Sequence, residues 1–432
     1  MKKVAFHTLG CKVNQYETEA MEELFNKNGY EIVEEDSLAD VYVINTCTVT
    51  NLSDRKSRQF IRKSKKLNPD SVVAVVGCYS QVSPDEVQEI EGVDVVIGTS
   101  ERDMVVELCE RASISNEKIN IVRPVKTYKS FEKIRIEDIK SKTRAFLKIQ
   151  DGCNQFCSYC IIPYARGPIR SREYEDIEEE AIRLAGAGFK EIVLTGIHVA
   201  SYGKDLKKES LNEVISKISR IEGIERIRLS SVEPGLIDEE FMKCIVESGK
   251  VCDHFHLSLQ SGSDSVLKRM NRRYDTQEFK KKAELIRRYM PNAGLTTDII
   301  VGFPGETEEE FSETMSFVEE IGFSRIHVFK YSPRKGTPAA IMKDQVQGDI
   351  KNRRSEQLIG LGAILAARFH KGFDGKTMSV LYEDGNSGKG FYEGYTTNYI
   401  RVKTPSQTDL IGDIISTRTL IGDDLTMKGT LL

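Results

Sequence analysis

Short apolar runs, most of them followed by a stretch of helical spacing, recur along most of this 432-residue chain. The first four are Val4–Leu9, Val41–Thr46, Val72–Gly77 and Val93–Gly98. Helical stretches such as Glu17–Asn28 and Asp54–Lys66 lie between them, and Pro84 followed by Asp85 and Glu86 reads as a helix start. Strands alternating with helices predict a parallel α/β sheet. Strands apolar almost throughout predict a sheet covered on both faces.

A second series follows: Ala145–Gln150, Glu191–Thr195, Arg226–Ser231, His254–Leu259, Leu295–Val301 and Arg325–Lys330. Their centres lie roughly 28–46 residues apart, which suits one strand plus one helix per unit. Six units fall short of the eight of a closed barrel, so a partial (β/α)6 barrel is expected, with its active face at the strand C-termini. The pattern then changes to short alternating stretches, Thr377–Tyr382, Phe391–Thr396 and Tyr399–Lys403, with a Gly-rich turn at Asp384–Gly390. That predicts a small all-β barrel or sandwich. The expected organisation is an α/β segment over 1–115, a polar, exposed linker over 116–142, the barrel segment over 143–370 and the β segment over 372–432.

Charge adds little. The 62 Lys and Arg against 66 Asp and Glu leave −4, which by itself favours neither nucleic acid nor membrane. No apolar run approaches the roughly 18 residues of a spanning helix. The N-terminus passes from Lys2 and Lys3 straight into a strand-like run, without a signal peptide's apolar region. A cytosolic protein without membrane partners is expected.

The nine cysteines change the picture. A disulfide framework suits small secreted domains, and an odd number cannot pair fully. Cys153, Cys157 and Cys160 form C-x3-C-x2-C directly after the first barrel strand. Three thiolates this close can hold three corners of an iron–sulfur cluster and leave one iron open. A structural zinc site would normally close with a fourth ligand. Cys11, Cys47 and Cys78 are far apart in sequence, yet each ends a predicted strand of the first segment. Strand C-termini of a parallel sheet share one edge, so the three can converge on a second cluster. The competing reading is ordinary buried cysteine, which is how Cys109 reads beside Val105, Val106 and Leu108. Cys244 and Cys252 carry no assigned role.

The C-x3-C-x2-C motif opening a six-unit barrel resembles the radical S-adenosylmethionine (SAM) superfamily. The preceding segment with Cys11, Cys47 and Cys78 resembles its methylthiotransferase family, and the last segment resembles that family's RNA-binding TRAM module. Leu9-Gly10-Cys11-Lys12-Val13-Asn14 and Cys160-Ile161-Ile162-Pro163-Tyr164-Ala165-Arg166 resemble the branch acting on threonylcarbamoyladenosine at position 37 of tRNA. The sister branches act on isopentenyladenosine or on a ribosomal protein, and a non-enzymatic iron–sulfur RNA sensor is a further alternative.

The resemblance implies two [4Fe–4S] clusters and SAM as cofactors. Cys153, Cys157 and Cys160 would hold the cluster that cleaves SAM to a 5′-deoxyadenosyl radical, and Cys11, Cys47 and Cys78 an auxiliary cluster that carries sulfur. It also implies as partners the tRNA anticodon stem-loop, an electron donor of the flavodoxin or ferredoxin type, and a sulfur source. Strand-end residues of the barrel become candidates for SAM or substrate: Gly196 and His198 in the Thr195–His198 turn, Ser230, Ser231 and Glu233, Gln260, the Gly302–Gly305 turn and Arg334. Tyr159 is expected near the SAM adenine. Basic residues of Asp54–Lys66 and Lys268–Arg288 are candidate RNA contacts, as are Lys389, Arg401 and Lys403 with Tyr395 and Tyr399 as stacking rings.

Overall fold

The computed structural model describes the chain except residues 116, 135, 137–142, 207–209, 387–389 and 423–424. The expected Lys389 contact lies outside the described residues. Six parallel strands form the first sheet: β1 (Lys3–Thr8), β2 (Glu31–Val33), β3 (Val41–Thr46), β4 (Val72–Gly77), β5 (Val95–Ile97) and β6 (Ile119–Asn120). Their order is β2-β1-β3-β4-β5-β6. The central β3 and β4 are buried at every residue. Helix α1 (Lys12–Lys27) puts Met21 and Phe25 on one face, and α2 (Asn51–Leu67) puts Ile61 on the other. Helix α1 starts five residues before its apolar period becomes visible. The hidden first turns are buried but polar: Asn14 and Glu17 face an internal charge network. The short edge strands β2 and β6 had no sequence signal.

All six expected barrel strands form: β7 (Arg144–Asp151), β9 (Glu191–Gly196), β10 (Arg226–Leu229), β11 (His254–His256), β12 (Gly294–Val301) and β13 (Arg325–Lys330). β8 (Arg170–Ser171) adds an antiparallel edge to β7. β7, β9 and β10 are parallel, and isolated bridges Ile227–Val251 and Val232–Leu257 carry the arc on to β11, β12 and β13. The arc does not close on itself, and α1 packs against β7 and β9. One large apolar core lies between the arc and its helices.

The helix Gly348–Lys371 leads into a closed barrel of β14 (Thr377–Asn386), β15 (Phe391–Thr396), β16 (Arg401–Pro405), β17 (Ile414–Leu420) and β18 (Met427–Leu431). The last two strands escaped the pattern reading. β14 also runs into the segment expected to be a turn. A register shift at Tyr382/Asp384 accommodates Gly385, where an added Cβ would lie 2.4 Å from the Tyr392 ring.

The joints between the three units are polar. Glu17 accepts from Lys148 at 2.7 Å and from Arg166, and pairs with Arg102 at 3.0 Å, all of them buried. Lys148 and Arg166 belong to the barrel unit, so one carboxylate of α1 ties the first sheet to the second. The linker joins in, against expectation: Glu132 pairs with Arg102, and Ile134 and Ile136 are buried beside Tyr16 and Ala20. Its polar composition concealed that Glu132 pairs with a buried arginine and that two isoleucines enter the core. The C-terminal barrel docks through arginines. Arg226 donates to the Ser379 carbonyl at 2.8 Å, Arg228 to the Thr396 carbonyl at 3.2 Å, and Arg144 to Glu383 at 2.7 Å. Tyr395, Tyr399 and His254 stack with centroids 4.8 and 4.6 Å apart, with Arg228 over Tyr399. The two tyrosines expected to stack on RNA are therefore committed to this ladder.

Burial alone would raise the pKa of Glu17. Arg102, Arg166 and Lys148 outweigh it and hold the carboxyl low, at about 2. Its stabilisation is therefore complete above the ordinary value of 4.5 and is lost as pH falls toward about 2. Removing one member of such a buried network costs about 3–5 kcal/mol. Glu17→Gln should lower the denaturation free energy at pH 7 by that amount in urea unfolding, and should lack the wild-type loss between these two pH values.

Candidate active site between two cysteine triads

The first triad lies on the loop leaving β7. Gly152 turns the chain with φ +73°, and a Cβ there would sit 1.9 Å from the Pro168 carbonyl oxygen. The loop is pinned on both sides: the Cys153 N–H donates to Gly167 at 3.0 Å, and the Ser158 N–H to Met270 at 3.0 Å. Burial raises the Cys153 thiol to about 11 and the Cys160 thiol to about 12, and Cys157 adds to both. Arg272 donates to Cys157 Sγ at 3.2 Å and pairs with Glu233 at 3.1 Å.

Glu233 is the hub of this side. It also accepts from Gln155 on the cysteine loop at 2.9 Å and meets His198 Nε2 at 3.0 Å. Burial would raise its carboxyl, but His198 and Arg272 hold it low. Gln260 has a left-handed backbone, φ +74°, rare for a non-glycine residue at a strand end. Gly196 lies against Gln150, whose side chain a Cβ would approach to 3.0 Å. Tyr159 packs beside a small cluster that includes Val266, Met270, Phe303 and Tyr331. Phe303 belongs to the Gly302–Gly305 turn, so that motif serves as the wall behind Tyr159. The Ser230 hydroxyl, at the mouth of the arc, is buried without a hydrogen-bond partner among the described residues.

Arg334 departs from expectation. It donates to Asn51 at 2.6 Å, to Thr48 at 2.5 Å and to Asp54 at 2.6 Å. These partners belong to the first unit, next to Cys47. Arg334 is a clamp between units, where a SAM or substrate contact was expected. A basic residue at a strand end looks the same in sequence in either role.

The second triad does gather at one sheet edge. Cys11 follows β1, Cys47 follows β3 and Cys78 follows β4. Gly10, at φ +110°, lets the β1 end approach: a Cβ there would lie 3.1 Å from Cys47 Sγ. Asn14 donates to the carbonyls of Leu9 at 2.8 Å and Thr46 at 2.9 Å, fixing two of the three strand ends. Cys11 is exposed, while Cys47 and Cys78 are buried. Burial raises both buried thiols, Cys78 to about 12 despite Arg166, and Cys11 adds to each shift. Arg166 donates to Cys78 Sγ at 3.3 Å and to Asn14 at 2.7 Å.

The donor type of both triads suits an iron–sulfur cluster, in which each thiolate binds its own iron. The donors are three soft thiols each, and one sulfur of each triad faces a guanidinium donor, which favours an anionic cluster. Among the described residues no three Cys, His, Asp or Glu side chains are arranged to hold one metal ion. Arg166, Asn14, Arg272 and Lys12 were not singled out from sequence. Arg166 and Asn14 lay inside the quoted motifs, and only their contacts reveal their roles.

A cavity of about 540 Å³ lies between Cys11 and the ends of the second and third barrel strands. Gly10, Cys11 and Lys12 form one wall, and Thr195, Gly196 and Ser230 line the strand ends opposite. His254, Thr296 and Arg325 line it at the strand starts, so it runs down the inside of the open arc. Burial and then Arg228 push His254 well below its ordinary value, leaving a neutral ring.

An open (β/α)6 arc with a three-cysteine loop after its first strand defines a radical SAM enzyme. The model of the Radical SAM superfamily matches residues 147–318, and that of the Uncharacterized protein family UPF0004 matches residues 3–98. The chain is 45% identical to the threonylcarbamoyladenosine tRNA methylthiotransferase MtaB of Bacillus subtilis (strain 168), over 97% of this chain and 94% of that protein. It is 40% identical to the protein of the same name from Aquifex aeolicus (strain VF5), over 93% and 96%. It is 37% identical to the tRNA-2-methylthio-N(6)-dimethylallyladenosine synthase of Clostridium tetani (strain Massachusetts / E88), over 95% and 92%. The chain belongs to the radical SAM methylthiotransferases, in the threonylcarbamoyladenosine tRNA methylthiotransferase family. Membership implies a [4Fe–4S] cluster and SAM. Among solved structures, the radical SAM methyltransferase TsrM of Kitasatospora setae aligns with TM-score 0.58 and 14% identity over 79% of this chain and 77% of that one, a likeness of fold. No helix among the described residues is long and apolar enough to cross a membrane.

Removing one partner of a buried ion pair costs about 3–5 kcal/mol. Glu233→Ala, which strands Arg272 and His198, should lower the unfolding free energy by up to that amount in anaerobic urea unfolding.

Proposed function

We propose that this protein adds a methylthio group to carbon 2 of N6-threonylcarbamoyladenosine at position 37 of tRNA. The observation that carries the reading is the single cavity with the exposed Cys11 of one triad in its wall and the SAM-side strand ends opposite. Cys153, Cys157 and Cys160 hold the SAM cluster, and Cys11, Cys47 and Cys78 hold an auxiliary [4Fe–4S] cluster as the sulfur carrier. When bound, SAM and its cluster supply the radical that removes hydrogen from the adenine carbon. Glu233, His198, Gly196, Gln260, Ser230 and Tyr159 form the SAM side, and Arg272 holds the cysteine loop through Cys157. Arg166 and Asn14 hold the auxiliary triad together. The apolar wall, with Val13, Val49 and Ile162, keeps water from the adenine.

The tRNA anticodon stem-loop approaches across α2. There Arg58, Lys63 and Lys65 are paired within the protein, while Arg55, Lys56, Arg62 and Lys66 are exposed. The stretch Lys268–Arg288 is mostly committed internally: Arg269 pairs with Glu310, Lys280 with Glu320 and Arg288 with Glu239. The protein works in the cytosol, with an electron donor of the flavodoxin or ferredoxin type and a separate sulfur source.

Anaerobically purified protein should carry about eight irons, and the variant with Cys153, Cys157 and Cys160 all replaced by Ala about four. About four irons falling to none would remove the auxiliary cluster from the reading. Nucleoside mass spectrometry of tRNA from a deletion strain should show 2-methylthio-N6-threonylcarbamoyladenosine lost and 2-methylthio-isopentenyladenosine retained. Retention of the first would overturn the substrate assignment.

A further inference from the structure

The lining of the inner cavity carries two cations that make no ion pair among the described residues. Lys12 is the first residue of α1, directly after Cys11, and Arg325 is the first residue of β13. Both line the cavity and both are exposed to it. Neither has an ion-pair or hydrogen-bond partner among the described residues, although most other arginines facing the interior are paired. The only carboxylate among the lining residues, Asp298, lies 3.3 Å from His256, so the lining carries two cations against one carboxylate. A roomy, partly apolar cavity with two free positive charges is complementary to a flat ring that carries an anionic arm.

The substrate assignment above supplies such an arm, and the inference rests on that assignment. Threonylcarbamoyladenosine carries a free carboxylate on its N6 substituent, whereas a dimethylallyl arm is uncharged and apolar. We propose that Lys12 and Arg325 bind this carboxylate and so select the amino-acid-bearing adenosine over the prenylated one. Placing the cation next to Cys11 sets the arm along the inner wall while the adenine lies beside the auxiliary triad. Discrimination follows from both signs of mismatch. An apolar arm would strip water from two charges without replacing their hydrogen bonds, and the charged arm regains them.

The test uses the anaerobic holoenzyme and two synthetic anticodon stem-loops. One carries N6-threonylcarbamoyladenosine and the other its carboxamide, which keeps the size and removes the charge. Wild-type enzyme should bind the carboxylate RNA about tenfold to a hundredfold more tightly than the amide in fluorescence anisotropy, the range expected for a charge-assisted contact. Lys12→Gln should remove most of that preference, with affinity for the amide RNA, SAM affinity and iron content each within about twofold of wild type. Arg325→Gln should remove part of it. The proposal is overturned if wild type binds both RNAs equally, or if Lys12→Gln keeps the preference. It is equally overturned if Lys12→Gln loses SAM binding instead, because the cation would then serve the SAM carboxylate. Wild type that forms no methylthio product on the threonylcarbamoyl RNA would sink the substrate assignment itself, a result separate from any comparison of the two RNAs.

Discussion

The structure turns on the buried pairing of Glu17 with Arg102, Lys148 and Arg166. One carboxylate on the first helix collects three cations, two of them from the barrel unit. Charges of this kind cannot be left alone in an interior, so neither unit can move away without exposing the other's uncompensated groups. Arg166 carries the constraint into the chemistry. The same guanidinium that holds Glu17 also donates to Cys78 Sγ and to Asn14. The position of the Cys11, Cys47 and Cys78 triad is thereby tied to the helix Ile162–Arg166, which follows the loop of Cys153, Cys157 and Cys160.

This explains why the interfaces are polar where an apolar seam would be the simpler design. An apolar seam permits sliding, whereas directional pairs fix one register. The Arg334 clamp on Thr48 and Asp54 does the same at the far strand. The arginines over the Tyr395–Tyr399–His254 ladder repeat it at the C-terminal barrel. Two cysteine triads on separate units are held in one relative placement by such joints, and the proposed reaction, which uses both on one substrate, requires it.

The cavity inherits its shape from these joints. Its walls come from the first helix, from the inner face of the arc and from Tyr399 of the last barrel. Tyr399 itself sits at φ +69°, a left-handed conformation that the stacked rings and the arginines around it hold in place.

The sequence by itself determined the six barrel strands, the strand ends that carry Cys11, Cys47 and Cys78, and the cysteine loop after β7. These are local properties: apolar runs of strand length, and thiol spacing within a few residues. It also carried the substrate family through the motifs around Cys11 and Cys160. Tertiary structure alone decided the roles of the long polar side chains. Arg334 looked like a ligand contact and became a clamp, Tyr395 and Tyr399 became an interdomain stack, and Glu132 of the linker became the partner of buried Arg102. Conversely, Lys12 and Arg325 became cations in one cavity with no ion-pair partner among the described residues. The reason is physical. A side chain's burial in an apolar strand follows from its neighbours in sequence, but the partners of charges such as Glu17 and Arg334 lie on distant segments and are chosen only when the units dock.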